Sequence, residues 1–335
     1  MAVSVIIQIP CFNEEQQLKD SVDAIRAAMA SPPDPELGRQ VSWQLLVVDD
    51  GSRDHTAALA ESLGVTSVIR HGVNRGLAAA FQTGLSHALR LGADVIVNTD
   101  ADNQYDARDL WTLIAPILAH QADIVIGARP IAAHQEFSTS KKLFQRLGSR
   151  VVRAVSRTDV LDAPSGFRAF SRHAAARINI YDQYTYTLES IIQAGLCGLV
   201  VLSVPIRVNA STRPSRLVRS NADYIFRSSR TIFRTLLLYR AEKITLWPSA
   251  ILLGGSTLLF LRWLALWLGD SPKSHVPSLV AAAVMFLTAV QLISISYSSF
   301  LSGINRRLSE QLLAVERERR SSQASSPLDD EEAFR

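Results

Sequence analysis

Two aspartates one residue apart, Asp100 and Asp102, close an apolar run that begins after Asp94. The run predicts a buried strand, so both carboxylates leave the sheet at one strand end. There they can share one hard divalent cation, Mg²⁺ or Mn²⁺, with the Gln104 carbonyl oxygen as a third ligand. Such a cation completes its shell with water and phosphate oxygens, which indicates a nucleotide conjugate as partner. A bare Asp-x-Asp is also typical of a solvated turn that caps the next helix.

Two other apolar runs end in polar residues. The run 3–9 ends before Asn13 and Glu14, and the run 45–48 ends before Asp50. In open parallel sheets, ligands bind beyond the carboxyl ends of the strands. We therefore expect these three side chains to line one pocket with the acidic pair. Asn13 is also a candidate N-cap for the helix that follows it.

Gly76 opens a helix rich in small residues, including the run 78–80. Free N–H groups at a helix N-terminus favour phosphate, and glycine lets the backbone approach a ligand closely. Tight helix packing explains the alanines equally well, and both interpretations stay open.

The elements that position these residues alternate along the chain. Strands are predicted at 3–9, 45–48, 67–70, 94–99, 124–126 and 199–204, with helices between most of them. This order predicts an α/β domain with a mostly parallel sheet covered on both faces. No Gly-x-Gly-x-x-Gly follows the first strand and no P-loop is present, which disfavours a dehydrogenase or an ATPase. Two cysteines, Cys11 and Cys197, are too few for a disulfide framework and favour a reduced, cytoplasmic environment.

Charge is distributed unevenly. Residues 1–128 hold 16 acidic and 8 basic side chains, whereas residues 129–243 hold 7 acidic and 19 basic ones. The acidic part suits a metal site and the basic part needs an anionic partner. No nucleic-acid-binding module is visible, so we expect no nucleic acid. The basic residues of 141–157 instead predict an amphipathic helix.

The C-terminal third predicts a membrane anchor. Residues 219–243 predict an interfacial helix lying on the lipid bilayer, and two apolar segments follow, 244–268 with only Arg262 charged and 276–302 with no charge. At about 20 residues per span, both segments can cross a membrane. Basic residues flank the pair of spans and only Lys273 lies between them, which predicts both termini and the catalytic domain on the cytoplasmic side of the inner membrane. Residues 303–335 are expected to form a cytoplasmic tail, disordered from Ser321.

Four motifs in order make the chain resemble the family-2 inverting glycosyltransferases. Within that family it is similar to the polyprenyl-phosphate glycosyltransferases of the dolichol-phosphate mannosyltransferase type, which carry a two-helix membrane anchor. The resemblance covers residues 3–305 and rests on Pro10–Glu15, Val47–Ser52, Asp100–Gln104 and Ser165–Arg168.

The resemblance implies a GT-A domain over residues 1–218, a UDP- or GDP-hexose donor and a polyprenyl (undecaprenyl) phosphate acceptor. It puts Pro10, Phe12, Glu14 and Asp50 around the nucleotide; with Asn13, Gly76, Asp100 and Ala101 they form the expected nucleotide-sugar site. It puts the metal on Asp100, Asp102 and Gln104. It assigns the acceptor phosphate to Arg129, with Arg146, Ser149 and Arg213 as further candidates, and makes Asp102 and Arg129 the catalytic residues. Proteins of this type also allow a homo-oligomer assembled through the spans.

The implied reaction is in-line attack of a lipid phosphate oxygen on the anomeric carbon, with inversion. A phosphate nucleophile needs no strong base. If the acceptor were a sugar or lipid hydroxyl instead, Glu189 would be the candidate base. A non-catalytic membrane scaffold is the third alternative. A processive polysaccharide synthase is disfavoured because Arg262 and Trp263 follow Leu259 rather than the Gln of a Gln-x-x-Arg-Trp signature.

Overall fold

The structure, a computed structural model, describes residues 2–130, 152–153, 156, 158–181, 186–209, 221–269 and 276–325. The chain divides into two compact units. The first runs to Ile232 and includes the residues from Glu310 onward; the second is Phe233–Ser309.

A seven-stranded sheet forms the centre of the first unit. Its strands are β1 Val3–Cys11, β2 Val41–Asp49, β3 Ser67–Arg70, β4 Val95–Asn98, β5 Ile124–Ala128, β6 Arg168–Ser171 and β7 Val201–Pro205. The spatial order is β3-β2-β1-β4-β6-β5-β7, and β6 alone runs antiparallel to its neighbours. This confirms the predicted mostly parallel sheet. The carboxyl ends of the six parallel strands therefore lie along one edge, where ligands bind in such folds.

Helices cover both faces of the sheet because the strand residues are apolar on both faces. In the first unit they are α1 Leu18–Ala30, α2 Pro35–Gln40, α3 Thr56–Ser62, α4 Leu77–Arg90, a 3₁₀ turn Ala107–Asp109, α5 Leu110–Leu118, α6 Arg172–Arg177 and α7 Thr187–Leu196. Alternate residues of β1 enter different cores: Ile7 packs with α1 and α5, whereas Ile6 packs with α4, α6 and α7. The two-residue period of the strand thus builds two hydrophobic layers.

Two long helices contain the predicted spans, α8 Asn221–Leu268 and α9 Val276–Ser325. Segments Ile244–Leu268 and Val276–Arg319 are long and apolar enough to cross a membrane, and each contains an 18-residue stretch of high mean hydropathy, 1.7 in the first and 2.2 in the second. Small residues line the seam between the helices in the second unit. Ala282, Ala289 and Ser296 recur every seven residues and are buried, and the Ser256 hydroxyl donates to the Ala282 carbonyl oxygen at 2.8 Å. Small residues at such spacing let helices approach closely in an apolar medium.

Helix α9 extends well beyond its apolar part. The boundary predicted at 302 follows the end of the apolar run, but the helix continues to Ser325 because the following residues are good helix formers such as Glu, Arg, Gln, Leu and Ala.

Candidate functional site

The loops after β1 and β2 are joined by hydrogen bonds at the carboxyl edge of the sheet. Asn13 adopts a left-handed conformation, with φ of 56°, and its N–H donates to the Ser52 hydroxyl at 2.9 Å. Its side-chain oxygen accepts from the Arg53 N–H at 2.8 Å. The expectation that Asn13 caps α1 was wrong, since the helix begins at Leu18 after Gln17. Asn13 instead ties the two loops into one wall.

The other expected nucleotide residues of this wall differ in exposure. Pro10 is buried in β1 opposite Val48, whereas Phe12 is 39% exposed. Glu14 lies partly buried, and its N–H donates to the Thr56 hydroxyl at 2.9 Å. The exposed Phe12 ring gives this side of the crevice an apolar surface.

Asp50 is buried and organises the start of α4. Its carboxylate accepts from the N–H groups of Arg75 at 2.9 Å and Gly76 at 2.8 Å, and its Oδ1 lies 2.7 Å from Nδ1 of His71. Gly76 has φ of 92°, a conformation that favours glycine. Ala78 is buried, so packing accounts for that part of the small-residue run. Asp50 thus shapes the expected phosphate-approach site at Gly76.

The acidic pair lies where β4 ends. Burial, followed by the negative charge of Asp102, raises the pKa of Asp100 to about 7, and Arg129 partly opposes this shift. A carboxyl group whose ionisation is disfavoured by burial and by a neighbouring carboxylate is suited to a divalent cation, which offsets the negative charge. The donor set therefore fits Mg²⁺ or Mn²⁺. Among the described residues, no group of three or more His, Cys, Asp and Glu side chains is arranged to hold a metal ion.

The loop that carries the acidic pair is fixed on both sides. The Ser21 hydroxyl of α1 donates to the buried Ala101 carbonyl oxygen at 2.7 Å. Asp102 Oδ1 accepts from the Gln104 N–H at 3.2 Å, and the main-chain oxygen of Gln104 accepts from the Asn209 N–H at 2.8 Å. The segment after β7 therefore braces the loop that bears the expected metal ligands.

Tyr105 is a positioning residue that sequence reasoning missed. Its hydroxyl accepts from the Gly166 N–H at 3.0 Å, and the interaction of this hydroxyl with the Asp100 carboxylate opposes the rise in the pKa of Asp100. The Tyr105 ring stacks on Phe167, with ring centres 5.0 Å apart. A Cβ at Gly166 would lie 3.1 Å from both carboxylate oxygens of Asp100, so a glycine here lets the turn pack closely against the Asp100 carboxylate. The position of Tyr105 just after the Asp-x-Asp motif was the signal that could have identified it.

A buried polar network lies behind the Gly166 turn. The Asn98 amide donates to the Gly166 carbonyl oxygen at 2.9 Å and to the Tyr186 hydroxyl at 2.8 Å. Gln8 Nε2 donates to the Asn98 side-chain oxygen at 2.9 Å. Asn98 was treated only as part of an apolar strand. A polar residue at the buried end of such a strand is the signal that could have identified it.

Arg129 leaves the carboxyl end of β5 and forms a bidentate ion pair with Asp162. Its Nε lies 2.7 Å from Oδ2 and its Nη2 lies 3.1 Å from Oδ1, with the Asp162 side chain fully buried. Burial alone would lower the pKa of Arg129, but Tyr105 and Asp162 raise it above its usual value. Sequence reasoning missed Asp162, although it precedes the Ser165–Arg168 motif by only three residues. Arg146, Ser149 and Arg213 lie outside the described residues.

Arg168 has an architectural role. Its side chain is fully buried and lies 5.8 Å from the Tyr186 ring centre, and burial lowers its pKa to about 10. Its guanidinium donates to the carbonyl oxygens of Ala163, Ser165 and Thr187 and to the hydroxyl of Ser190. These bonds hold the turn that faces Asp100 against α7.

Glu189 is engaged in the packing of α7. The side chain is 1% exposed, and its carboxylate accepts from the Tyr181 N–H at 3.0 Å and from Gln193 Nε2 at 3.4 Å. A carboxylate held in this way is poorly placed to take a proton from an acceptor hydroxyl.

The sequence profile of Glycosyl transferase family 2 matches residues 5–178. The UDP-N-acetylglucosamine–dolichyl-phosphate N-acetylglucosaminyltransferase of Methanococcus voltae is 28% identical over 61% of this chain and 84% of its own length. The polyprenol monophosphomannose synthase of Mycolicibacterium smegmatis is 28% identical over 60% of this chain and 76% of its own.

Among solved structures, glucosyl-3-phosphoglycerate synthase from Mycobacterium tuberculosis, in complex with Mn²⁺, UDP and phosphoglyceric acid, superimposes with a TM-score of 0.53. It is 21% identical, and the match covers 70% of this chain and 78% of that one. This similarity shows that the first unit has the GT-A fold, as the resemblance implied.

Proposed function

The chain belongs to glycosyl transferase family 2, and we propose that it transfers a hexose from a UDP- or GDP-linked donor to a polyprenyl phosphate, with inversion at the anomeric carbon. The observation that carries this proposal is the opposition of charge at the carboxyl edge of the sheet. The Asp100–Asp102 pair follows β4 and the Arg129–Asp162 pair follows β5, with β6 between the two strands. Two anionic substrates can be held side by side across such a crevice.

The donor side of the proposal rests on the joined loops after β1 and β2. The exposed Phe12 ring offers a surface for stacking on the base, and the N-terminus of α4 at Gly76 faces the same edge as those loops. Asp100, Asp102 and the Gln104 carbonyl oxygen would hold Mg²⁺ or Mn²⁺ with the diphosphate. The bound cation would offset the charge that develops on the leaving diphosphate.

The acceptor side rests on Arg129. The buried Asp162 holds one edge of the guanidinium and fixes its plane, and the partly exposed remainder can bind a lipid phosphate oxygen. Because this oxygen is already anionic near neutral pH, the protein has to align the two substrates rather than remove a proton. The two relatives described above are named for transfer to dolichyl and polyprenol phosphates, which supports the same acceptor class here.

Membrane attachment is the last part of the proposal. We assign residues 1–218 to catalysis, 219–243 to a juxtamembrane helix, 244–302 to two spans and 303–335 to a cytoplasmic tail, with the catalytic domain on the cytoplasmic face. The distribution of basic residues around the two apolar segments supports this orientation. The product would be a lipid-linked sugar for a glycan or a glycoprotein of the cell envelope.

The test is a donor screen. Purified full-length protein in detergent is incubated with Mn²⁺ or Mg²⁺, undecaprenyl phosphate and a panel of UDP- and GDP-hexoses, and the lipid fraction is analysed by mass spectrometry. We expect one donor to give a metal-dependent sugar–phosphate–lipid that Asp102→Ala fails to make. Transfer to a hydroxyl acceptor, with none to the lipid phosphate, would contradict the proposal and make Glu189 the next residue to test as a base.

A further inference from the structure

The C-terminal part of α9 presents one polar face to the first unit, to which it belongs. We call Glu310–Glu318 the docking arm. Glu310, Ala314, Arg317 and Glu318 share one helical face, since residues three or four apart lie above one another. Ala314 is 2% exposed, whereas Leu312 on another face is 73% exposed. The face of the arm that packs against the rest of the first unit therefore consists of small and charged residues.

Several polar contacts of the arm are made with α6. Glu318 forms an ion pair with Arg177, the last residue of α6, and its Oε1 lies 3.6 Å from Nδ1 of His173 in the first turn. Arg317 donates to the Ala176 carbonyl oxygen at 3.1 Å. A cation at the carbonyl end of a helix is favourable because the free carbonyl oxygens carry partial negative charge. The arm thus supplies a donor to one carbonyl oxygen at the end of this six-residue helix.

The chain leaves α6 as an extended segment, Ile178–Tyr181, which we call the strap. Three successive strap N–H groups donate to side chains rather than to backbone: Asn179 to Gln193 at 2.9 Å, Ile180 to Gln82 at 3.0 Å and Tyr181 to Glu189 at 3.0 Å. The Tyr181 hydroxyl donates to Glu310 of the arm at 3.2 Å. The strap is thus held by α4 and α7 on one side and by the arm on the other.

The strap also leads toward the candidate site. The Tyr181 N–H of the strap donates to Glu189 of α7, and Tyr186, the N-cap residue of the same helix, donates its hydroxyl to the Gly166 carbonyl oxygen at 3.2 Å. Gly166 in turn packs against the Asp100 carboxylate. A series of contacts therefore runs from the arm, through the strap and α7, to Tyr186 and the turn beside Asp100.

We propose that the docking arm is a clamp that holds the strap in place and that glycosyl transfer depends on the arm being docked. The clamp consists of ion pairs and hydrogen bonds at a partly exposed surface, so an undocked state is accessible and salt favours it. The kinetic part of this inference rests on the proposed function, whereas the docking part does not.

A charge-swap cycle tests both parts in the full-length protein. Arg177→Glu and Glu318→Arg each place like charges together, and the double variant restores an opposite pair. Glu316→Arg, on an exposed side of the arm, makes the same charge change as Glu318→Arg and serves as the matched control. Hydrogen exchange of the peptide that contains Asn179, Ile180 and Tyr181 reports docking without any substrate, and the initial rate of transfer reports function.

We expect each single swap to speed exchange of the strap amides by about fivefold to tenfold and to lower the transfer rate by at least about threefold. The double variant should return both values to within about twofold of the wild type, and Glu316→Arg should leave both unchanged. Unchanged strap exchange in both single variants would overturn the clamp. Faster exchange at an unchanged transfer rate would overturn the dependence of transfer on docking. A wild-type protein that makes no glycolipid would contradict the proposed acceptor, and the exchange cycle would still decide whether the clamp exists.

Discussion

The two charged pairs at the edge of the sheet are built on opposite principles. Asp100 and Asp102 bring like charges together, and burial with Asp102 raises the pKa of Asp100 to about 7. Arg129 and Asp162 bring opposite charges together in a bidentate pair with both partners largely buried. Burial and like charge therefore disfavour ionisation of Asp100, whereas the opposite charges of Arg129 and Asp162 stabilise each other in the protein alone. We call the two pairs the acidic pair and, after Arg129, the basic pair, and the parts of the edge that hold them the acidic side and the basic side.

We infer from this difference how each side would recognise its ligand under the proposed function. The acidic side would gain its order from the bound cation. The basic side has its geometry fixed by the ion pair, which would lower the entropy lost when the acceptor binds. If this distinction is correct, changes to the acidic side alter metal dependence, and changes to the basic side alter acceptor affinity.

The largest effect is expected when the acidic pair is broken. Asp102→Asn keeps the side-chain size but removes one of the two charges that would hold the cation. We expect the transfer rate at saturating Mn²⁺ to fall by about 10²- to 10³-fold, because stabilisation of the leaving diphosphate is lost. Steady-state kinetics measure this loss, and electron paramagnetic resonance titration measures Mn²⁺ affinity in the presence of the nucleoside diphosphate.

Asp20→Asn provides the control, since it removes the charge of an exposed aspartate on α1. It should change neither the rate nor Mn²⁺ affinity. An Asp102→Asn protein with wild-type Mn²⁺ affinity would remove this residue from the metal site.

A smaller and different effect is expected on the basic side. Asp162→Asn leaves the Arg129 guanidinium without its carboxylate partner. We expect kcat/KM for the lipid phosphate to fall by about 10- to 100-fold, because the fixed orientation of the Arg129 guanidinium is lost. The affinities for Mn²⁺ and nucleotide should stay the same. Arg129→Lys should act similarly, since a lysine cannot form the two-point contact with Asp162.

Asp159→Asn, three residues earlier and exposed, is the matched control for this charge change. The comparison between the two pairs would fail if Asp162→Asn weakened Mn²⁺ binding as strongly as Asp102→Asn does.

The sequence predicted the acidic pair better than the basic pair for a physical reason. The acidic residues are adjacent in sequence and follow a strand whose apolar pattern is unambiguous, so local pattern alone places them at the sheet edge. Asp162 meets Arg129 across 33 residues, and the strand that follows Asp162, β6, is antiparallel to β5. No local periodicity reports such a contact.

The same reasoning applies to Asn13 and Tyr105. Asn13 has the residue type and spacing of an N-cap, but a long-range bond to Ser52 determined its conformation. Tyr105 lies within a recognised motif, yet its function as a bridge between Asp100 and Gly166 depends on a turn about 60 residues further along. Sequence patterns therefore predicted the sheet and the acidic residues at its carboxyl edge, whereas tertiary contacts determined which side chains hold those residues in place.

The smallest expected effect concerns stability in the absence of metal. Because the pKa of Asp100 rises from an ordinary value of 3.8 to about 7, the folded, metal-free protein binds a proton more tightly than the unfolded chain does. The free energy of unfolding should therefore fall as pH rises from about 4 to about 7 and level off on either side. Asp100 as a whole residue is only half-buried, so water screens part of the effect, and we expect a loss of about 1–2 kcal/mol rather than the full value of the shift. Thermal unfolding in a chelator across this pH range measures the loss of stability.

Asp100→Asn should remove the fall in stability that Asp100 causes between about pH 4 and about pH 7. Excess Mn²⁺ should reverse the slope of stability against pH in the wild type, because metal binding favours the ionised carboxylates. An unchanged slope in Asp100→Asn would show that a raised pKa of Asp100 does not distinguish the acidic side from the basic side.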